Sequence, residues 1–177
     1  MGSMTVQEIR FIVDVKTLSI TSGTYEIRSI ADGHAESFTH RAAFQGNSFV
    51  VELAEDGSEY FSVTVLVESY SIGGTAFSVP SKPINLLATF HLPSADRTMK
   101  ICPESSIASV YTFARMMTVR NDGLVLISGC ERNLKIAYGM KQNIFRTEGI
   151  VADMIRQSPN GFETNSYPMF NSLCNLF

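Results

Sequence analysis

Residues 61–68, FSVTVLVE, decide the fold class of this 177-residue chain. Apolar side chains at the odd positions alternate with a second set at the even positions: Phe61, Val63, Val65 and Val67 against Ser62, Thr64, Leu66 and Glu68. A period of two with one apolar face is typical of a half-buried β-strand, because successive side chains point to opposite faces of a sheet. The stretch therefore predicts a strand with one face on a core.

The same alternation appears on the N-terminal side of this strand. Two runs repeat it: Ile9, Phe11, Val13 and Val15 in the first, and Phe49, Val51 and Leu53 in the second. Turn signals separate the runs, and the clearest are the loop at residues 55–58 (EDGS) and the pair Gly73-Gly74. About seven short strands, closed by residues 84–92, predict an antiparallel β-sandwich or small barrel over residues 4–93.

The periodicity becomes helical after Pro93 and a polar stretch, residues 94–98, that predicts a linker. Three apolar stripes follow at helical spacing: Ile107, Val110, Tyr111, Ala114 and Met117; Leu134, Ala137, Met140, Lys141 and Ile144; and Met169, Phe170, Leu173 and Leu176. Residues 150–155 predict one more short helix. We expect an α+β fold in which a helical part, residues 101–177, packs against the β-sandwich in one compact unit. A separate helical bundle is the alternative.

Composition and charge argue against several classes of function. The chain is 45% hydrophobic and 18% charged, which is typical of a globular domain. Its net charge of -3 argues against a nucleic-acid partner, since phosphate binding needs clustered Lys and Arg. Without a run of about twenty apolar residues we expect no membrane span. With no signal peptide after Met4 we expect a cytoplasmic protein as the chain stands, although an excised extracellular domain would have the same pattern.

Sequence motifs for cofactors and metals are missing, so we expect neither. The dinucleotide, Walker A, nucleophile-elbow, zinc-protease and EF-hand patterns do not occur in the chain. Cys102, Cys130 and Cys174 stand far apart, without the spacing of a zinc site; three reduced thiols and a single disulfide both fit. Cys102 could pair with His91 as nucleophile and base. A small buried apolar thiol at the junction is the favoured interpretation.

The most concentrated polar signal is residues 158–166, SPNGFETNS, in which Asn-Gly is a strong turn dipeptide. Four candidate ligand-binding residues lie in it or close to it: Glu163, Asn160, Asn165 and Asn171. Tyr111, on the first helical stripe, is the fifth candidate. One interpretation is a hydrogen-bonded clasp that ties the loop to the helices, since a buried amide needs partners at both ends. The other is a polar pocket for a small ligand, with Glu163 as its carboxylate. The clasp is favoured.

Four segments of the second half form a series that resembles a known module: residues 106–114, 134–143, 158–165 and 170–176. The series is similar to a helical module found in some bacterial proteins ahead of NHL-type β-propeller repeats. The strand-rich half resembles the carboxypeptidase-regulatory type of sandwich in general pattern. The resemblance implies no catalytic residue, and the chain contains no propeller repeat of its own.

Two functions from different classes fit these observations. The first is a non-enzymatic binding or scaffold module that recognises a protein or a small-molecule ligand. The alternative is a cofactor-independent lyase, isomerase or cyclase with a pocket between the β and α halves. Such an enzyme would use a side chain such as Glu163 or Tyr111 as acid or base. The absence of a catalytic motif favours the binding module.

Overall fold

A computed structural model describes residues 6–30, 39–54, 60–78, 84–92, 97–121, 125–146, 156–157 and 163–164. Within these ranges the strands are β1 (Val6–Val13), β2 (Ser19–Ser29), β3 (Thr39–Gln45), β4 (Ser48–Ala54), β5 (Tyr60–Ile72), β6 (Thr75–Ser78), β7 (Ile84–His91), β8 (Thr98–Ile101), β9 (Met117–Val119), β10 (Val125–Ile127), β11 (Arg156–Gln157) and β12 (Glu163–Thr164). The helices in the same ranges are α1 (Pro103–Phe113), a 3₁₀ turn (Ala114–Met116) and α2 (Glu131–Gln142).

Two sheets are built from the first eight strands. The smaller has the order β4-β1-β8, with β1 antiparallel to β4 and parallel to β8. The larger has the order β3-β2-β5 and continues on the far edge of β5 with two strands. There β7 pairs with the first part of β5, from Tyr60 to Val67, and β6 pairs with the last part, from Ser69 to Ile72. The long strand β5 thus organises the larger sheet.

The main core lies between the two sheets and uses the side chains that the alternation predicts. Phe11 of β1 stacks on Phe49 of β4 with ring centroids 5.1 Å apart, and it meets Phe90 of β7 at 5.6 Å. The odd-numbered face of β5 contributes Phe61, Val63, Val65 and Val67 to the same cluster. Full burial of one such side chain contributes about 1.5–3 kcal/mol, so this layer is a major source of stability.

The second face of β5 is also buried, and the helix layer, which we define as α1 and α2, packs against the neighbouring strand β7 and against Tyr60 at the start of β5. All residues from Tyr60 to Val67 are buried, whereas the alternation predicts burial on one face only. A second apolar cluster lies under the helices: Ile30, Tyr60, Leu87, Phe113, Val125, Ile127, Leu134 and Ala137. Strands β1 to β8 and the two helices therefore form three layers, two sheets and one layer of helices.

The α+β class is confirmed, and the structure corrects three details of the prediction. The β series does not close at Leu92, since β8 adds a strand from within the stretch that predicts a linker. Because β8 runs parallel to β1, the expectation of a purely antiparallel arrangement is wrong for this pair. Helix α1 ends at Phe113 and does not reach Met117, because a 3₁₀ turn leads into β9. The predicted helices at 150–155 and 169–176 lie outside the described residues.

Candidate binding groove

The helix layer is fixed to the open edge of β7 by side-chain hydrogen bonds at the start of α1. The Ser105 hydroxyl donates to the Leu87 carbonyl oxygen at 2.8 Å, and the Leu87 N–H donates to the Ser106 hydroxyl oxygen at 2.8 Å. The Ser105 oxygen also accepts the N–H of Cys102 at 3.0 Å, which caps the helix start. An edge strand needs partners for its outward backbone groups, and here two serines supply them.

Lys141 of α2 satisfies a second backbone group of β7. Its side chain is buried, with 1% of the residue exposed, and Nζ donates to the Thr89 carbonyl oxygen at 3.0 Å. Nζ also lies 2.9 Å from the Gln142 side-chain oxygen and 5.2 Å from the ring centroid of Tyr138. These contacts stabilise an ammonium away from water, since each replaces part of its hydration.

The space between sheet and helices is almost filled at this point. A gap of about 10 Å³ remains there, with Thr89, Ser105 and Lys141 among its lining residues. A space of that size holds about one water molecule. The Thr89 and Ser109 hydroxyls lie within 3.4 Å of each other. Around Thr89, therefore, the described β–α junction has no room for a substrate.

The opposite side of the helix layer carries an open groove between the two helices, which we call the α1–α2 groove. Its volume is about 640 Å³, and its lining residues are Tyr111, Thr112, Ala114, Arg115, Met116, Asn133, Ile136, Ala137 and Met140. Three large apolar side chains in it are exposed: Tyr111 by 44%, Ile136 by 53% and Met140 by 48%. Such a volume lies in the range of binding sites, and clustered exposed apolar groups are uncommon without a partner.

Helix periodicity explains why α2 has two apolar sides. Ile136 and Met140 are four residues apart and therefore share the face toward solvent. Leu134, Ala137 and Lys141 are the buried residues of the same helix, and they face the sheet. Ala137 also lines the groove, where its small side chain leaves the space between the flanking helices open.

Met116 lines the groove near the beginning of α2, where a glycine leaves room for it. A Cβ on Gly129 would lie 2.4 Å from the Met116 sulfur, so any larger residue would displace that side chain. Methionine is flexible and polarizable, and such side chains adapt to varied apolar ligands. Cys130 is exposed and caps α2 directly after this glycine, which places a thiol at this end of the groove.

Cationic side chains accompany the apolar surface. Arg115 lines the groove, and Arg132 and Lys135 are exposed on α2 next to the lining residues Asn133 and Ile136. Glu131 at the first turn of α2 is the nearest acidic residue of that helix. The surroundings of the groove along α2 are therefore mainly positive.

The buried carboxylate of Glu26, on β2 of the larger sheet, has a structural role. Glu26 of β2 forms ion pairs with two arginines, through Arg28 Nε and through Arg120 Nη1 at 3.4 Å, and its side chain is 5% exposed. Two guanidinium groups on one carboxylate neutralise it and hold it in place. This arrangement links β2 to the segment after β9.

Of the predicted site residues, the structure places Tyr111 in the α1–α2 groove. Glu163 belongs to β12, opposite Gln157 of β11 in an antiparallel pair. Asn160, Asn165 and Asn171 lie outside the described residues, so both the clasp and the polar pocket stay predictions. The sequence did not identify three other lining residues: Ile136, Met116 and Arg115. For Ile136 a signal existed, since it is a large apolar residue outside the stripe that predicts the helix.

Cys102 and His91 have separate sets of neighbours. Cys102 is buried in a small cluster with Ala108, Ile144 and Phe145, and burial raises the pKa of its thiol to about 11. His91 lies against the Tyr60 ring, with ring centroids 4.8 Å apart. A thiol with this pKa is almost entirely protonated at neutral pH and a poor nucleophile. These contacts support the interpretation of Cys102 as a buried apolar residue.

Comparisons with family models, with curated proteins and with solved structures found no match. In the ranges that the structure describes, neither helix has the length and hydropathy needed to cross a membrane. The same ranges contain no group of three or more His, Cys, Asp or Glu residues that could hold a metal ion. The α1–α2 groove is therefore identified as a candidate site by its geometry alone.

Proposed function

We propose that the chain is a non-enzymatic binding module whose α1–α2 groove holds an apolar segment of a protein partner. The observation that carries the proposal is the exposure of Tyr111, Ile136 and Met140 on one concave surface. Burying such side chains is favourable, and a partner that covers them gains the same apolar burial on its own side. Tyrosine and methionine are also enriched in protein interfaces.

The dimensions of the groove suit a short helix. Along α2 the lining residues run from Asn133 to Met140, which is about 10 Å at 1.5 Å per residue. Two turns of a partner helix have the same length and place apolar side chains at steps of three and four residues. The positive surroundings, with Arg115, Arg132 and Lys135, favour acidic residues beside those apolar anchors.

An open groove is better suited to a protein segment than to a small molecule. Small-ligand sites usually bury about 70–90% of the ligand surface. Here Tyr111, Ile136 and Met140 each keep roughly half of their surface in water, so a small molecule would stay largely exposed. A helix can bury the three side chains together.

Selection from a library of phage-displayed helical peptides tests the proposal. We expect the protein to select peptides with apolar residues at helical spacing and acidic flanks, with Kd in the micromolar range typical of such short segments. Ile136→Glu and Met140→Glu should each weaken binding at least about tenfold, since both place a charge among the apolar contacts. Val50→Glu is the matched control, because Val50 is 45% exposed on β4, in the other sheet.

Two results would overturn the proposed function. One is a selection that enriches no peptide above background. The other is a set of peptides whose affinity is the same for wild type, Ile136→Glu and Met140→Glu. Circular dichroism and thermal melts of the three variants establish that the substitutions leave the fold intact.

The alternative is a cofactor-independent lyase, isomerase or cyclase, and one hollow supports it: a space of about 290 Å³ where β1 and β8 meet the start of α1, with Asp14, Lys100 and Glu104 among its lining residues. The Lys100 ammonium pairs with the Asp14 carboxylate there at 2.9 Å, and this pairing favours a structural role for both groups. The predicted pocket would lie between the β and α halves, where Lys141 and the serines of α1 fill the space next to β7. The resemblance to the helical module that precedes NHL-type repeats is compatible with the binding role. In that arrangement the groove would serve as a docking surface beside a propeller.

A further inference from the structure

The chain carries an apolar segment without charge that lies outside the described residues. Residues 165–177, NSYPMFNSLCNLF, contain no Asp, Glu, Lys or Arg. Met169, Phe170, Leu173 and Leu176 recur there at three- and four-residue steps, the spacing of a helix with one apolar face. A stripe of this kind is stable in water only when another apolar surface covers it.

The α1–α2 groove matches this segment in chemistry and length. It exposes Tyr111, Ile136 and Met140 and extends over eight residues of α2, from Asn133 to Met140. The apolar stripe extends over eight residues as well, from Met169 to Leu176. Both distances are about 10 Å in helical conformation.

The chain can reach the groove from the end of α2. The described range that contains α2 ends at Arg146, and residues 147–168 connect it to the apolar segment. An extended chain of that length spans about 70 Å. The antiparallel pairing of β11 with β12 reverses the chain between Gln157 and Glu163.

We propose that residues 167–177 dock in the α1–α2 groove and compete with the partner segment, an inference that rests on the proposed function of the groove. The competing segment provides apolar anchors but no acidic residue for the positive surroundings of the groove. An acidic partner gains that additional attraction and displaces the intramolecular segment. The groove is then covered until such a partner binds.

Two native thiols make docking measurable in the intact chain. Cys130 is exposed at the end of the groove near Met116, and Cys174 lies one residue after Leu173. Cys102 is buried and does not compete for reagent. A short bismaleimide is added to dilute protein, and the intrachain link between Cys130 and Cys174 is quantified by peptide mass spectrometry.

We expect the Cys130–Cys174 link to form in most wild-type molecules. Ile136→Glu in the groove and Leu173→Glu in the segment should each reduce its yield about tenfold. Val50→Glu should leave the yield unchanged. Absence of the link in wild type, or an equal yield in Ile136→Glu and wild type, would overturn the proposal.

A synthetic peptide of residues 165–177 gives a second measurement that does not depend on the stability of a variant. The peptide carries the substitution Cys174→Ser, so that it cannot react with the bismaleimide. Added to wild type at about millimolar concentration, comparable to the effective concentration of a tethered segment, it should lower the yield of the link. An unchanged yield would contradict docking in the groove.

The proposal and the proposed function fail in different ways. If the link forms and depends on Ile136, while Leu173→Glu selects no phage-displayed peptide, the segment is a permanent part of the fold and the proposed function is wrong. If wild type binds selected peptides through Ile136 but shows no link, the groove is a docking site without an intramolecular competitor.

Discussion

The helix layer has two sides, and they differ in chemistry. Toward the sheet, Ser105, Ser106 and Lys141 supply hydrogen bonds to the edge of β7, and the gap left beside them is about 10 Å³. Toward solvent, Ile136 and Met140 lie in a groove of about 640 Å³. Beside the apolar cluster under the helices, polar side chains are thus bound to the edge of β7, whereas large apolar side chains are exposed on the other side.

The contrast shows where binding energy remains available. A hydrogen-bonded group at the junction is already satisfied, and a ligand that used it would first have to break a bond to β7. The exposed apolar groups of the groove have no such cost. The hydrogen bonds to β7 also hold the groove in shape, because the groove exists only while both helices stay fixed to the sheet.

Lys141→Ala is expected to have the largest effect on stability, because it removes a contact on the side of the helix layer that faces the sheet. The substitution leaves the Thr89 carbonyl oxygen without its buried donor and opens a cavity under α2. We expect a loss of about 3 kcal/mol in the free energy of unfolding, measured by urea denaturation. Lys135→Ala on the exposed side of the same helix should change it by less than about 0.5 kcal/mol. Equal effects of the two substitutions would show that the junction is not closed by Lys141.

The buried thiol of Cys102, at the start of α1, should make the stability of the protein depend on pH. Burial raises its pKa from 9.0 to about 11, so the folded protein holds this proton more tightly than the unfolded chain does. Stability from this group is complete below pH 9 and is lost as the pH rises toward 11, by about 2–3 kcal/mol in total. Denaturation curves of wild type and Cys102→Ala at several pH values isolate the effect, since other groups titrate in both proteins. Parallel pH dependences would contradict the burial of this thiol.

A smaller loss is expected from Ser105→Ala. The hydroxyl links α1 to the Leu87 carbonyl oxygen and caps the Cys102 N–H, and alanine removes both bonds without a large cavity. We expect about 1–2 kcal/mol of destabilisation in urea denaturation. Ser19→Ala, at an exposed position of β2, is the control. If water replaces the hydroxyl in full, the two substitutions will have the same small effect.

The smallest effect on stability is expected from a substitution on the solvent side of α2, and it should be stabilising. Gly139 lies inside the helix, and a Cβ built there meets no atom within 4 Å. Gly139→Ala should therefore raise the free energy of unfolding by about 0.5–1 kcal/mol, because alanine restricts the unfolded chain and fits the helix. A thermal melt measures the gain. A lower melting temperature would mean that this side of α2 has a neighbour among residues outside the described ranges.

The inner core could be predicted from the sequence because strand alternation depends only on neighbouring residues. The faces of β1, β4 and β5 follow directly from their period of two. The expected half-burial of β5 was wrong because its second face is covered too, at Tyr60 by helices that begin 43 residues later in the chain. Long-range packing of this kind leaves no mark in the local pattern.

The site was predictable only in part. Tyr111 was among the candidates, and Lys141 belonged to the series of residues that predicts the second helix. The structure buries Lys141 but exposes Met140 of the same series. The parallel strand β8 and the bonds from α1 to Leu87 were not predictable, because a serine near a helix start suggests a cap and not a strand partner. The groove depends on the distance between two helices, which their separate sequences do not contain.

Methyl NMR of the protein bound to a phage-selected peptide tests the central claim, that the open side of the helix layer is a docking surface. Our account predicts that the methyl signals of Met116, Ile136, Ala137 and Met140 shift on saturation, whereas those of Val50 on β4 and Val6 on β1 do not. Shifts confined to the sheets, or spread evenly over the protein, would contradict it.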